Sequence, residues 1–209
     1  MNGFERLARL EGVGSFATRG LALLAFALVV STFDFARHRR SATRWREYAL
    51  LLLAATAGAA CGAACDAVTS TVSPDYFMVA KGIDPGPGFR ARAVALGAQA
   101  GAGFGALLGG VMLFAAGRGF TGDRAAVRRV VRAFFVVPFC GLTAGAAALF
   151  VSSISRTTLA WFREWSWLTE DEMRRATAAW LAHLGLYAGA LAGTVVAIRE
   201  LRRLRASRE

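Results

Sequence analysis

The stretch AVALGAQAGAGFGALLGGVMLFAAG, Ala93–Gly117, decides the fold. It holds no Asp, Glu, Lys or Arg. As a helix rising about 1.5 Å per residue it is long enough to cross a hydrocarbon layer of roughly 30 Å. Three further stretches share this property: Tyr48–Cys65, Ala133–Ser155 and Ala176–Ile198. Buried helices of water-soluble proteins are rarely so long and so free of charge. Four in a 209-residue chain therefore predict an all-α, polytopic transmembrane helix bundle. The averages alone, 56% hydrophobic with a mean hydropathy of +0.44, would also suit a soluble domain. The clustering separates the two.

A weaker segment, Gly20–Phe33, extends towards Val13 if Arg19 snorkels to the interface. A signal peptide is the other reading, given Arg6, Arg9 and the apolar Leu21–Val30. A small-x-small cleavage site with a plausible mature start is missing, however, and a basic cluster follows at once. The expectation is five spans, at approximately 17–35, 47–68, 92–117, 131–154 and 176–199, or four if the first does not cross.

The net charge of +11 does not point to nucleic acid, because the basic residues sit in short clusters beside apolar spans and no recognition motif accompanies them. There they act as topology signals and as contacts for the anionic head groups of a lipid bilayer. Fifteen fall in the first loop, the third loop and the tail, against ten in the other extramembrane parts. The positive-inside rule then places the C-terminus in the cytoplasm and, with five spans, the N-terminus outside.

Between the spans, Ser73-Pro74-Asp75 reads as a helix start with a serine cap and proline at the first helical position. Pro85-Gly86-Pro87-Gly88 is a breaker before the next span. Trp161, Phe162, Trp165 and Leu168 share one face and predict an interfacial amphipathic helix at approximately 157–168. Thr169 and Glu172 form a capping box, so a helix of about 50 Å is expected from Glu170 through Arg205.

Helices in lipid associate through close backbone contact. Gly97, Gly101, Gly105 and Gly109 recur every fourth residue, Gly185, Gly189 and Gly193 do the same, and Gly58 and Gly62 form a shorter pair. These residues predict glycine faces packed against other helices. The same chain is the favoured partner, and a homo-oligomer or another membrane protein the alternative. Gln99 is expected to donate a hydrogen bond between helices.

Ionisable groups inside spans are costly and mark either function or an internal pair. Asp66, near the outer end of the second span, and His183, about two turns into the fifth, should lie at similar depth, where a carboxylate could hold an imidazole. Ser73, Asp75, Tyr76 and Tyr187 complete this candidate polar site. A structural hydrogen bond is the favoured role over proton handling, ligand binding or catalysis. Cys61 and Cys65, one turn apart, could ligate a metal with His183, but cysteine standing for alanine at a tight contact is the simpler reading. No metal, cofactor or catalytic residue is expected.

Asp66–Phe77, Asp-Ala-Val-Thr-Ser-Thr-Val-Ser-Pro-Asp-Tyr-Phe, resembles the first outer loop of an uncharacterised family of small polytopic bacterial membrane proteins, which runs approximately Asp-Gln-Ile-Thr-Tyr-Thr-Ile-Ser-Pro-Glu-Tyr-Phe. The family's His-Asn…Ser-Tyr-x-Gly-Gly pattern in the last span is matched by His183, Tyr187, Gly189 and Gly193, with Leu184 in place of the asparagine. Ala67 replaces the glutamine, and Met78–Gly82 replaces a lysine- and phenylalanine-rich stretch. The resemblance covers about residues 50–200. It implies a bacterial inner-membrane location with the loop facing outwards, and it brings no activity. The expected role is structural or interaction. A small transporter or channel component using Asp66 and His183 is the first alternative, and a membrane enzyme acting on lipid or envelope precursors the second.

Overall fold

A computed structural model describes residues 28–39, 44–116 and 167–206, with the single positions 25, 42, 128, 143 and 147. Regular structure among the described residues is entirely helical. We label the helices α1 (Arg44–Val72), α2 (Pro74–Ala80), α3 (Phe89–Ala116) and α4 (Glu170–Ala206). Three of them, α1, α3 and α4, are long and apolar enough to cross a membrane. The predicted spans 17–35 and 131–154 and the interfacial helix 157–168 lie wholly or largely outside the described residues. Trp167 and Leu168 form a turn and a bend rather than the end of a helix. The cause lies one residue on, where Thr169 caps α4 and cannot itself be helical.

The chain divides into two compact units, Met1–Leu50 and Leu51–Glu209. In the first, residues 28–38 are helical, three residues past the predicted limit. Asp34 accepts the Arg44 backbone N–H at 3.0 Å and lies 2.9 Å from His38 Nδ1, so it satisfies one of the free amides at the start of α1. Arg44 adds a 2.9 Å ion pair with Glu47 in the first turn.

In the second unit the apolar side chains point outwards as well as inwards. Leu52, Leu53, Leu107, Leu191 and Val196 are exposed, and Phe114 is 93% exposed. Only 17%, 28% and 39% of the most apolar windows of α1, α3 and α4 are buried. Water would penalise such a surface at roughly 25 cal/mol per Å², whereas lipid does not. Beside buried Leu50, Leu108, Met112 and Leu186, the interior of these helices is rich in small residues. Ala176, Ala178, Ala179, Ala182 and Ala190 are buried on α4, and Gly189 and Gly193 with them, while Gly185 is half-buried. The buried hydroxyls of Thr69, Thr177 and Thr194 each donate to the carbonyl four residues back, so none of these three is left unpaired in lipid.

The four-residue glycine repeat faces α1. A Cβ built on Gly101 would fall on the Gly58 carbonyl oxygen, one on Gly105 on the Ala54 carbonyl oxygen, and one on Gly97 on the Gly62 carbonyl oxygen. A Cβ at Gly109 would lie 2.8 Å from that of Ala54. The pairing descends along α3 as it climbs α1, so the helices are antiparallel with their backbones in contact. Gly103 and Gly110 meet nothing within 4 Å. Gln99 makes no hydrogen bond among the described residues, contrary to expectation. It is half-buried, beside the glycine face rather than on it.

The loop between α1 and α3 folds over the ends of the long helices. Ser73 accepts the Tyr76 N–H at 3.3 Å, Pro74 follows, and α2 runs until Gly82 turns the chain at φ +63°. Ile83 then donates to the Phe77 carbonyl at 3.0 Å. Arg92 gathers the Pro-Gly turn by donating to the carbonyls of Pro87 (2.6 Å), Asp84 (2.7 Å) and Gly86 (3.2 Å). Tyr76, Phe77, Ile83, Ala93, Ala176 and Ala179 form one buried cluster.

Candidate functional site

Beneath this cap lies the pair that the sequence singles out. His183 Nε2 stands 2.6 Å from Asp66 Oδ1, across 117 residues of chain. Their side chains are 13% and 6% exposed. Helix α1 carries the carboxyl, α4 the imidazole, and α3 makes the space. A Cβ at Gly97 would come 2.6 Å from Asp66 Cγ and Oδ2, so the carboxyl occupies volume that any side chain there would need.

The imidazole is held at both nitrogens. Nδ1 lies 2.6 Å from the Ala179 carbonyl oxygen, which can only accept, so Nδ1 carries a hydrogen. Nε2 faces a carboxyl oxygen. A neutral ring with hydrogen on Nδ1 opposite a carboxylate would set two lone pairs against each other at that distance. A proton must therefore lie between them, as imidazolium with carboxylate or as imidazole with carboxylic acid. Either form is neutral overall, as an environment of low dielectric requires.

Two aromatic rings of α2 cover the imidazole. The Tyr76 ring centroid is 5.4 Å from it, and the Phe77 centroid 6.0 Å. Burial, reinforced by Asp66, pushes the Tyr76 hydroxyl up to about 12, so it remains a neutral phenol at physiological pH. The Lys81 ammonium sits 5.7 Å from the Tyr76 ring centroid. Tyr187 packs edge-on to Phe104 at 5.0 Å. A cavity of about 40 Å³, with room for a few waters, borders Asp66, Lys81, His183 and Tyr187.

Of the six polar residues singled out, Asp66, His183, Tyr76 and Tyr187 come together. Ser73 is fully buried as the cap of α2, and Asp75 lies in that helix's first turn. No hydrogen bond among the described residues joins either to the pair. Sequence reasoning missed Lys81, counted only as a topology charge, and Gly97, counted only as packing. It also grouped the metal donors differently. Cys65 Sγ, an Asp66 carboxylate oxygen and a His183 ring nitrogen all lie within 4.8 Å of one another, a group that does not include Cys61; both cysteines also pack in the apolar cluster around Leu108 and Leu186.

The described part of the chain is thus all-helical, with three helices able to cross a membrane, as fits an integral membrane protein. Comparison with protein-family models, curated proteins and solved structures found no match.

Proposed function

We propose that this chain is a multi-pass membrane protein of structural or interaction type, in which Asp66 and His183 clasp α1 to α4 beneath α2. The observation that carries this reading is the use of both imidazole nitrogens, one on Asp66 and one on the Ala179 carbonyl. A ring so engaged has no free atom with which to attack or deprotonate a substrate. The neighbouring cavity of about 40 Å³ is also too small to hold a substrate. Five spans in a bacterial inner membrane, with the N-terminus outside and the C-terminus cytoplasmic, fit the arginine distribution. The arginine clusters then rest on anionic head groups, and the partner is a second copy or another membrane protein. A small transporter or channel component is the second reading, favoured by the cavity that links Asp66 to the exposed Lys81.

Thermal unfolding of the full-length protein in detergent, with Asp66→Asn and His183→Leu made singly and together, tests the clasp. Each single change should cost about 1–3 kcal/mol by orphaning a buried partner. The double variant should lose clearly less than the sum. Simple additivity would remove the clasp. Unchanged stability with lost solute or proton flux in proteoliposomes would move the assignment to the second reading.

A further inference from the structure

We propose that Cys65, Asp66 and His183 form a binding site for a borderline-soft divalent cation, with Zn²⁺ the best match to the donor set. A sulfur, a carboxylate oxygen and an imidazole nitrogen converge within 4.8 Å from two helices. Hard cations such as Mg²⁺ and Ca²⁺ prefer oxygen throughout, while thiolate with imidazole suits zinc. The hydrogen bond from His183 Nδ1 to the Ala179 carbonyl fixes Nε2 forward, the arrangement that orients metal-bound histidines. The adjoining cavity, which Lys81 also lines, admits a neutral water as fourth ligand.

The charges balance. When the cation enters, the Cys65 thiol proton and the proton shared by Asp66 and His183 leave to water. One thiolate and one carboxylate then neutralise the ion, and the buried site stays uncharged. Around an ion with bonds of about 2.0–2.2 Å, two ligands lie roughly 3.3 Å apart. Opening the 2.6 Å contact to that distance needs less than about 1 Å of side-chain movement.

The proposal rests on the clasp only in sharing two of its side chains, so the test reads the sulfur. Full-length protein in detergent is titrated with Co²⁺, with Zn²⁺ as competitor. One Co²⁺ per chain is expected, with a tetrahedral ligand-field spectrum and a thiolate charge-transfer band that Zn²⁺ abolishes. Cys65→Ser should remove the band and weaken binding at least ~10-fold, while Cys61→Ser preserves both. A protein of unchanged helical content that shows no thiolate band overturns the proposal. So does a band that survives Cys65→Ser. Because Cys65→Ser leaves Asp66 and His183 in place, the metal site can fail while the clasp stands.

Discussion

Ser73 shows how one side chain controls the cover over the pair. Its hydroxyl accepts the Tyr76 N–H and sets the direction of a seven-residue helix whose next two side chains, Tyr76 and Phe77, lie on the imidazole. Ser73→Ala should cost about 0.5–2 kcal/mol. Hydrogen exchange at the amides of 75–83 should rise with little change deep in α1 or α3, and unchanged protection over 75–83 would mean the cap does not hold α2. At this scale the sequence was informative wherever chemistry is local. A serine-proline start and a Thr-x-x-Glu box announce themselves by spacing, and Thr169 and Glu172 do exchange bonds, at 2.7, 2.8 and 3.4 Å. Asp66 and His183 stood out because charge is scarce in apolar spans. The rest of the site was hidden because it depends on how the helices are rotated. Nothing in sequence separates the Cys65 that meets the pair from the Cys61 that does not.

Among the helices, contact between backbones replaces the side-chain core of a soluble protein. The α1–α3 interface has no room for a methyl group, since at Gly58, Gly62, Gly97, Gly101 and Gly105 a Cβ would meet a carbonyl oxygen. Backbone cannot swing aside as a flexible side chain can, so Gly101→Ala must part the helices, at about 1–3 kcal/mol. Gly103→Ala, two residues along and facing open space, should be neutral or stabilising by up to about 1 kcal/mol through lower chain entropy. The two melting temperatures in detergent check this directly, and equal shifts would mean that the glycine face does not carry the packing. The four-residue repeat made this face legible, because a period near that of the helix keeps Gly97 to Gly109 on one side. It could not identify the partner, which only the antiparallel register against Gly58 and Gly62 supplies.

For the molecule as a whole, the choice of solvent governs every other inference. Large apolar side chains face outwards on α1, α3 and α4, while much of the inside is alanine, glycine and a neutralised acid–base pair. That inversion is sensible only in lipid, where packing, and not the removal of apolar surface from water, holds helices together. It was legible early, since uncharged runs of spanning length survive any uncertainty about boundaries. The most direct measurement is the partition of the full-length chain after cells are broken, membranes are washed with alkaline carbonate, and pellet and supernatant are separated. The chain should remain in the pellet and enter solution only with detergent. Release into the carbonate supernatant as a folded, monodisperse species would contradict the lipid-facing assignment of these helices, and with it the packing and the buried pair.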